Sequence, residues 1–82
     1  MIIKHPLSTE KSIRLLNQEN KLVFIVERKA TKPEIKKEIE EMFNAKVTQI
    51  RTLIDQKGNK KAFVKFSDQT PALDIATKLG LM

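Results

Sequence analysis

Lys57, Lys60, Lys61 and Lys65 follow one another with no acid among them. Four point charges at that spacing suit one chemistry, the neutralisation of a phosphate backbone. A second group, Arg28, Lys29, Lys32, Lys36 and Lys37, has Glu34 as its single counter-charge. From residue 42 to 66, Lys46 and Arg51 join the four lysines against Asp55 alone. Lys4 and His5 add candidate phosphate contacts near the start. The chain has 16 basic and 10 acidic residues, a net charge of +6 and a pI near 9.8. Lysine tolerates many geometries, so such contacts position a nucleic acid without reading its bases. Lysine and glutamate enrichment also marks hyperthermophile surfaces, but there the signs are interspersed rather than clustered.

Other chemistries find little to work with. His5 is the only histidine, it precedes a proline, and there is no cysteine, so neither a metal cluster nor a thiolate nucleophile can be assembled. Ser8, Ser12 and Ser67 sit in no nucleophile turn, and Gly58 and Gly80, the only glycines, make no phosphate loop. The sequence therefore predicts no enzyme, cofactor or metal. The longest apolar run, Leu22 to Val26, is too short to span a bilayer. Glu38, Glu40 and Glu41 near Lys36 and Lys37 would repel an anionic membrane surface and read as an exposed, salt-laced helix face. A soluble, intracellular protein of one domain, residues 1–82, is expected, with a modest core.

The elements that must hold these charges are legible from punctuation and periodicity. Residues 1 to 6 form a short extended piece in which Ile2 or Ile3 can start an edge strand, stopped by Pro6. Ser8 or Thr9 caps a helix with Glu10 in its first turn and Ile13 and Leu16 as its apolar stripe, and Asn17 to Asn20 is a polar stop. Leu22 to Val26 reads as a central strand covered on both faces. Thr31, Lys32, Pro33 and Glu34 form a capping box with proline in the first turn. Ile35, Ile39, Met42 and Phe43 then share one helix face, and Asn44 ends it.

Val47–Ile54 and Lys60–Phe66 make a hairpin whose loop, 55–59, places Gly58 where positive φ is needed. Val47 and Ile50 can share a face of their strand only through a bulge. Ala62, Val64 and Phe66 point one way, and Lys61, Phe63 and Lys65 the other. Thr70 and Pro71 open a last helix through Leu73, Ile75, Ala76 and Leu79, stopped by Gly80. The helix between Leu22–Val26 and Val47–Ile54 makes those strands parallel through a right-handed crossover. Inserting Lys60–Phe66 between them gives a split β-α-β unit. The fold class is α/β (α+β), a single domain with a four-stranded, mostly antiparallel sheet and covering helices.

Ala62-Phe63-Val64-Lys65-Phe66 resembles the end of the base-stacking strand of RNA-recognition modules, with Lys60 and Lys61 in place of its glycine and first aromatic. Phe63 is read two ways, as a stacking aromatic or as a partly covered core or interface residue. A free-standing single-strand RNA binder is the alternative reading this supports.

The order of His5-Pro6-Leu7-Ser8-Thr9-Glu10-Lys11-Ser12, Lys29-Ala30-Thr31-Lys32-Pro33-Glu34-Ile35-Lys36, Phe43-Asn44-Ala45-Lys46-Val47 and Lys60-Lys61-Ala62-Phe63-Val64-Lys65 resembles the family of the universal large-subunit ribosomal protein numbered twenty-three. The ending Ile75-Ala76-Thr77-Lys78-Leu79-Gly80 and the short hairpin resemble its archaeal branch. Phe66 stands where that family usually has leucine, and bacterial relatives extend the hairpin 55–59 into the exit tunnel. The resemblance implies a structural constituent bound to large-subunit rRNA at the rim of the polypeptide exit, cytoplasmic and ribosome-bound, with no membrane insertion. It implies the ribosomal protein numbered twenty-nine as a neighbour, and the signal recognition particle and the translocon as docking partners. Its RNA-contacting positions fall on the turn with Thr9 and Lys11, on Lys29 to Lys36 and on the hairpin lysines. The acidic side of the middle helix, Glu38, Glu40 and Glu41, is the expected partner-facing surface.

Overall fold

Alternation in residues 60–66 decides which side of the sheet becomes the core. The computed structural model describes residues 2–80; Met1, where the expected extended piece begins, lies outside the described residues, as do Leu81 and Met82. In chain order the elements are β1 (Ile3–Pro6), α1 (Glu10–Glu19), β2 (Lys21–Val26), α2 (Lys32–Phe43), β3 (Val47–Ile54), β4 (Lys60–Phe66) and α3 (Ala72–Lys78). The strands form one sheet in the order β1-β2-β4-β3, and each neighbouring pair is antiparallel. β4 therefore separates β2 from β3, as the split β-α-β unit requires.

Residues directly opposite one another in a ladder share a face. Leu22, Phe24 and Val26 of β2 lie opposite Val64, Ala62 and Lys60 of β4, and Val47 and Ile50 of β3 opposite Phe66 and Val64. These residues, apart from Lys60, build the core with Ile35 and Ile39 of α2 and with Ala72, Ile75 and Ala76 of α3. Ile35 and Ile39 are wholly buried. Truncating either to alanine leaves a cavity that costs about 2–5 kcal/mol. Val47 and Ile50 do share a face, through the expected bulge, since the β3 register shifts between Val47 and Gln49. The Thr48 hydroxyl donates to the Lys65 carbonyl at 3.2 Å and so replaces part of the interrupted ladder.

Three helix stripes differ from the periodic expectation. In α1 the buried pair is Ser12 and Leu16, and Ile13 is exposed. The cause is the N-terminal lock: Ser12 N–H donates to Thr9 Oγ1 at 3.2 Å, and Ser12 Oγ accepts from Thr9 N–H at 2.7 Å and donates to Thr9 O at 2.9 Å. A serine so satisfied can be buried cheaply, which turns Ile13 outward. In α2 the stripe is Ile35, Ile39 and Phe43, whose ring stacks on Phe24 at 6.2 Å, while Met42 falls to the exposed side. Leu73 of α3 is likewise exposed.

Asn20 is more than a polar stop. It ends α1 in the left-handed conformation, φ 55°, and its amide ties three later segments together. Nδ2 donates to the carbonyls of Phe66, Ser67 and Thr70 at 3.1, 3.2 and 3.2 Å. Oδ1 accepts from Ala72 N–H at 2.7 Å, which caps α3 from a distance, because Pro71 offers no side-chain cap of its own.

Candidate nucleic-acid interface

The hairpin is built so that Lys57 and Lys60 stand at one end of the sheet. Asp55 Oδ1 accepts from the amides of Lys57 and Asn59, both at 2.9 Å, and Gly58 supplies φ +85°. The Asn59 amide, helped by the Lys57 amide and the Lys61 charge, holds the Asp55 carboxyl below its ordinary value. Lys57 is exposed on the tip. Arg28, from the loop between β2 and α2, brings its guanidinium to this turn, with Nη2 about one van der Waals contact from the position a Cβ on Gly58 would take. The turn and that loop are thus one structure, and Arg28, Lys29 and Lys57 share its exposed surface.

Lys60 has a different task from its neighbours. Its Nζ donates to the Ala30 carbonyl at 2.6 Å and to the Arg28 carbonyl at 3.4 Å, which pins the β2–α2 loop to the hairpin. Beside it, Thr31 and Glu34 close the expected capping box at the start of α2. Hydrogen bonds from the Thr31 amide and hydroxyl, with a smaller part from the Lys60 charge, hold the Glu34 carboxyl below its ordinary value.

The face of the sheet opposite the core carries the remaining charge. Lys61, Phe63 and Lys65 of β4 lie opposite Leu53, Arg51 and Gln49 of β3. α1 packs on β2 at this face, leaving β3 and β4 partly uncovered. Between α1 and β3 runs a cleft of about 360 Å³, walled by Lys11, Leu15 and Glu19 on one side and Arg51 and Leu53 on the other, with Phe63 in its floor. Lys21 also lines it and pairs with Glu19 at 3.0 Å. Among the described residues, none of the candidate cations is held by a carboxylate; the ion pairs are Arg14–Glu10 and Lys21–Glu19.

The other candidates are spread further. Lys32 and Lys36 border a groove between the start of α2 and Thr48, Gln49 and Ile50 of β3. Lys4 and His5 are exposed on edge strand β1, away from the β3 side. The Thr9 hydroxyl is committed to capping α1. Lys65, the last of the four hairpin lysines, is exposed on the face of Lys61 and Phe63, as the period-two alternation of its strand implies.

The acidic residues of α2 correct the expectation of a uniform, lysine-paired face. Glu38 accepts from Ile3 N–H at 2.8 Å and Ile2 N–H at 3.5 Å, and Glu40 accepts from Val47 N–H at 3.1 Å. Two residues apart on a helix is about 200°, so the carboxylates leave opposite flanks of α2. One meets the start of β1 and the other the start of β3, the two edges of the sheet. Only Glu41 of the three is fully exposed.

The profile of the family described as Ribosomal protein L23 matches residues 1–77. The Large ribosomal subunit protein uL23 of Methanococcus vannielii is 48% identical over 80 residues, covering 98% of this chain and 93% of that protein.

Proposed function

This chain belongs to the ribosomal protein L23 family, and on that premise we propose that it holds large-subunit rRNA by neutralising phosphates at the hairpin end and along the open face of the sheet. Its coarse role follows from membership: it is a structural constituent of the large ribosomal subunit, ribosome-bound in the cytoplasm. On this reading it acts by binding. No helix among the described residues is long and apolar enough to cross a membrane.

The observation that carries the proposal is the convergence of unpaired cations. Arg28 and Lys29 come from one loop and Lys57 from another, yet the β2–α2 loop and the hairpin are tied at one end of the sheet. Lys61, Lys65 and Arg51 continue the charge along the uncovered face. Each contact that displaces a condensed counterion adds about 0.9 to the slope of log K against log salt on a duplex. Replacing Arg28, Lys57 and Lys61 by glutamine together is expected to lower that slope by about 2–3, measured by retention on large-subunit rRNA. Unchanged retention of the triple variant at high ionic strength contradicts the proposal.

The site at the rim of the polypeptide exit, with the ribosomal protein numbered twenty-nine as neighbour, belongs to the same proposal and rests on family kinship. So does the docking of the signal recognition particle and the translocon. On α2, Glu41 is the acid left free for such partners, since Glu38 and Glu40 are bound to strand ends. Glu41→Lys is expected to keep the protein in the subunit while weakening targeting-factor binding; a defect in assembly contradicts that assignment.

A further inference from the structure

We infer that the cleft between α1 and β3 receives one unstacked base of the bound RNA, laid against Phe63. This rests on the RNA-binding reading above and adds to it a second kind of contact, to a base rather than to the backbone. A basic surface that only tracked phosphates would need no apolar depression within it. Here Leu15, Leu53 and Phe63 form an apolar patch in a cleft of about 360 Å³, in the size range of small-ligand sites. Leu53 is 56% exposed and Phe63 is half-buried, so both keep apolar surface that the fold does not use.

The rim selects the occupant by charge. Lys11 and Arg51 stand on opposite walls, both exposed and both without a carboxylate partner among the described residues. The one acid in the cleft, Glu19, is already paired with Lys21 at 3.0 Å. Arg51 lies directly across the ladder from Phe63, which places a cation beside the base site where the phosphate of the same nucleotide would fall. Lys61 and Lys65 flank Phe63 along β4 and carry the strand on in both directions. A protein strand adding to the sheet would instead pair with the outer edge of β3 and leave this cleft empty.

The test uses the full chain and large-subunit rRNA. Phe63→Leu keeps an apolar side chain in the floor but removes the aromatic face, and Phe63→Tyr keeps the face. Phe63→Leu is expected to weaken binding roughly 5- to 150-fold, with the salt slope unchanged and with Phe63→Tyr restoring affinity. Arg51→Gln is expected to lower the slope by about 1. Binding of Phe63→Leu within about twofold of the parent overturns the inference, as does a loss that Phe63→Tyr does not restore, which marks Phe63 as packing alone. Protection of the cleft only when other subunit proteins are present, and not by rRNA, also overturns it by giving the site to a protein. Loss of salt dependence in the parent protein brings down both this inference and the phosphate reading. A normal slope in the parent with an indifferent Phe63 brings down this inference only.

Discussion

The two ends of the sheet are each tied by a single side chain, one neutral and one charged. At the end where β2 begins, the Asn20 amide gathers the carbonyls of Phe66, Ser67 and Thr70 and the Ala72 amide. At the other end, the Lys60 ammonium gathers the carbonyls of Ala30 and Arg28. Asn20 uses both donor and acceptor and is fully occupied with structure. Lys60 adds a formal charge to a cluster whose other members are free. The difference teaches that basic residues close in sequence need not share a job. Lys60 holds the loop that presents Arg28 and Lys29, whereas Lys57 and Lys61 hold no carbonyl among the described residues.

The largest expected break comes at the neutral end. Asn20→Ala removes four hydrogen bonds and leaves an alanine at positive φ, for a loss of about 2–4 kcal/mol of stability in urea titration. The salt slope of RNA binding should stay as in the parent among the molecules that fold. At the charged end, Lys60→Met is expected to cost less, about 1–2 kcal/mol, because its carbonyl partners can turn to water. Its RNA slope should change little, whereas Lys57→Gln lowers the slope by about 1 and leaves stability alone. Equal effects of Lys60 and Lys57 on both measurements would erase the distinction drawn between them.

The smallest effect concerns acid. Glu34 and Asp55 titrate below their ordinary values of 4.5 and 3.8 because amides of the folded chain bind their ionised forms. Below those ordinary values the unfolded chain takes up protons first, so stability falls as pH drops through the lowered values of the folded state. The urea midpoint is expected to be flat from about pH 8 to pH 5 and to decline below about pH 4.5. Glu34→Gln with Asp55→Asn should flatten that decline by lowering the neutral plateau towards the acid level, since the stability lost in acid is what the two ionised carboxylates supply.

These outcomes also mark where the sequence was readable. Thr31 with Glu34, Gly58 in its loop, and the alternation of Ala62, Val64 and Phe66 are local signals, and each produced the expected element. The bulge in β3 was forced by Val47 and Ile50, which needed the same face. Asn20 was legible only as a helix stop, because its partners lie 46 to 52 residues away. Lys60 was indistinguishable from Lys57 and Lys61 until the β2–α2 loop was seen beside the hairpin. Glu38 and Glu40 had Lys36 and Lys37 nearer in sequence, yet unpaired strand amides took the carboxylates. A charged hydrogen bond to a strand-end amide has little competition from water, whereas an exposed ion pair is screened.

The bulge at Thr48 has a consequence for how this strand can change in length. Because Thr48 is the surplus residue, excising it would leave Val47 facing inward and Gln49 and Arg51 facing outward, as they do now. Excising any single residue from 50 to 53 would instead send the remainder of the strand to the wrong side, up to the turn. Relatives that vary in length here should therefore do so at that one position, where a codon can be lost without turning the sheet inside out.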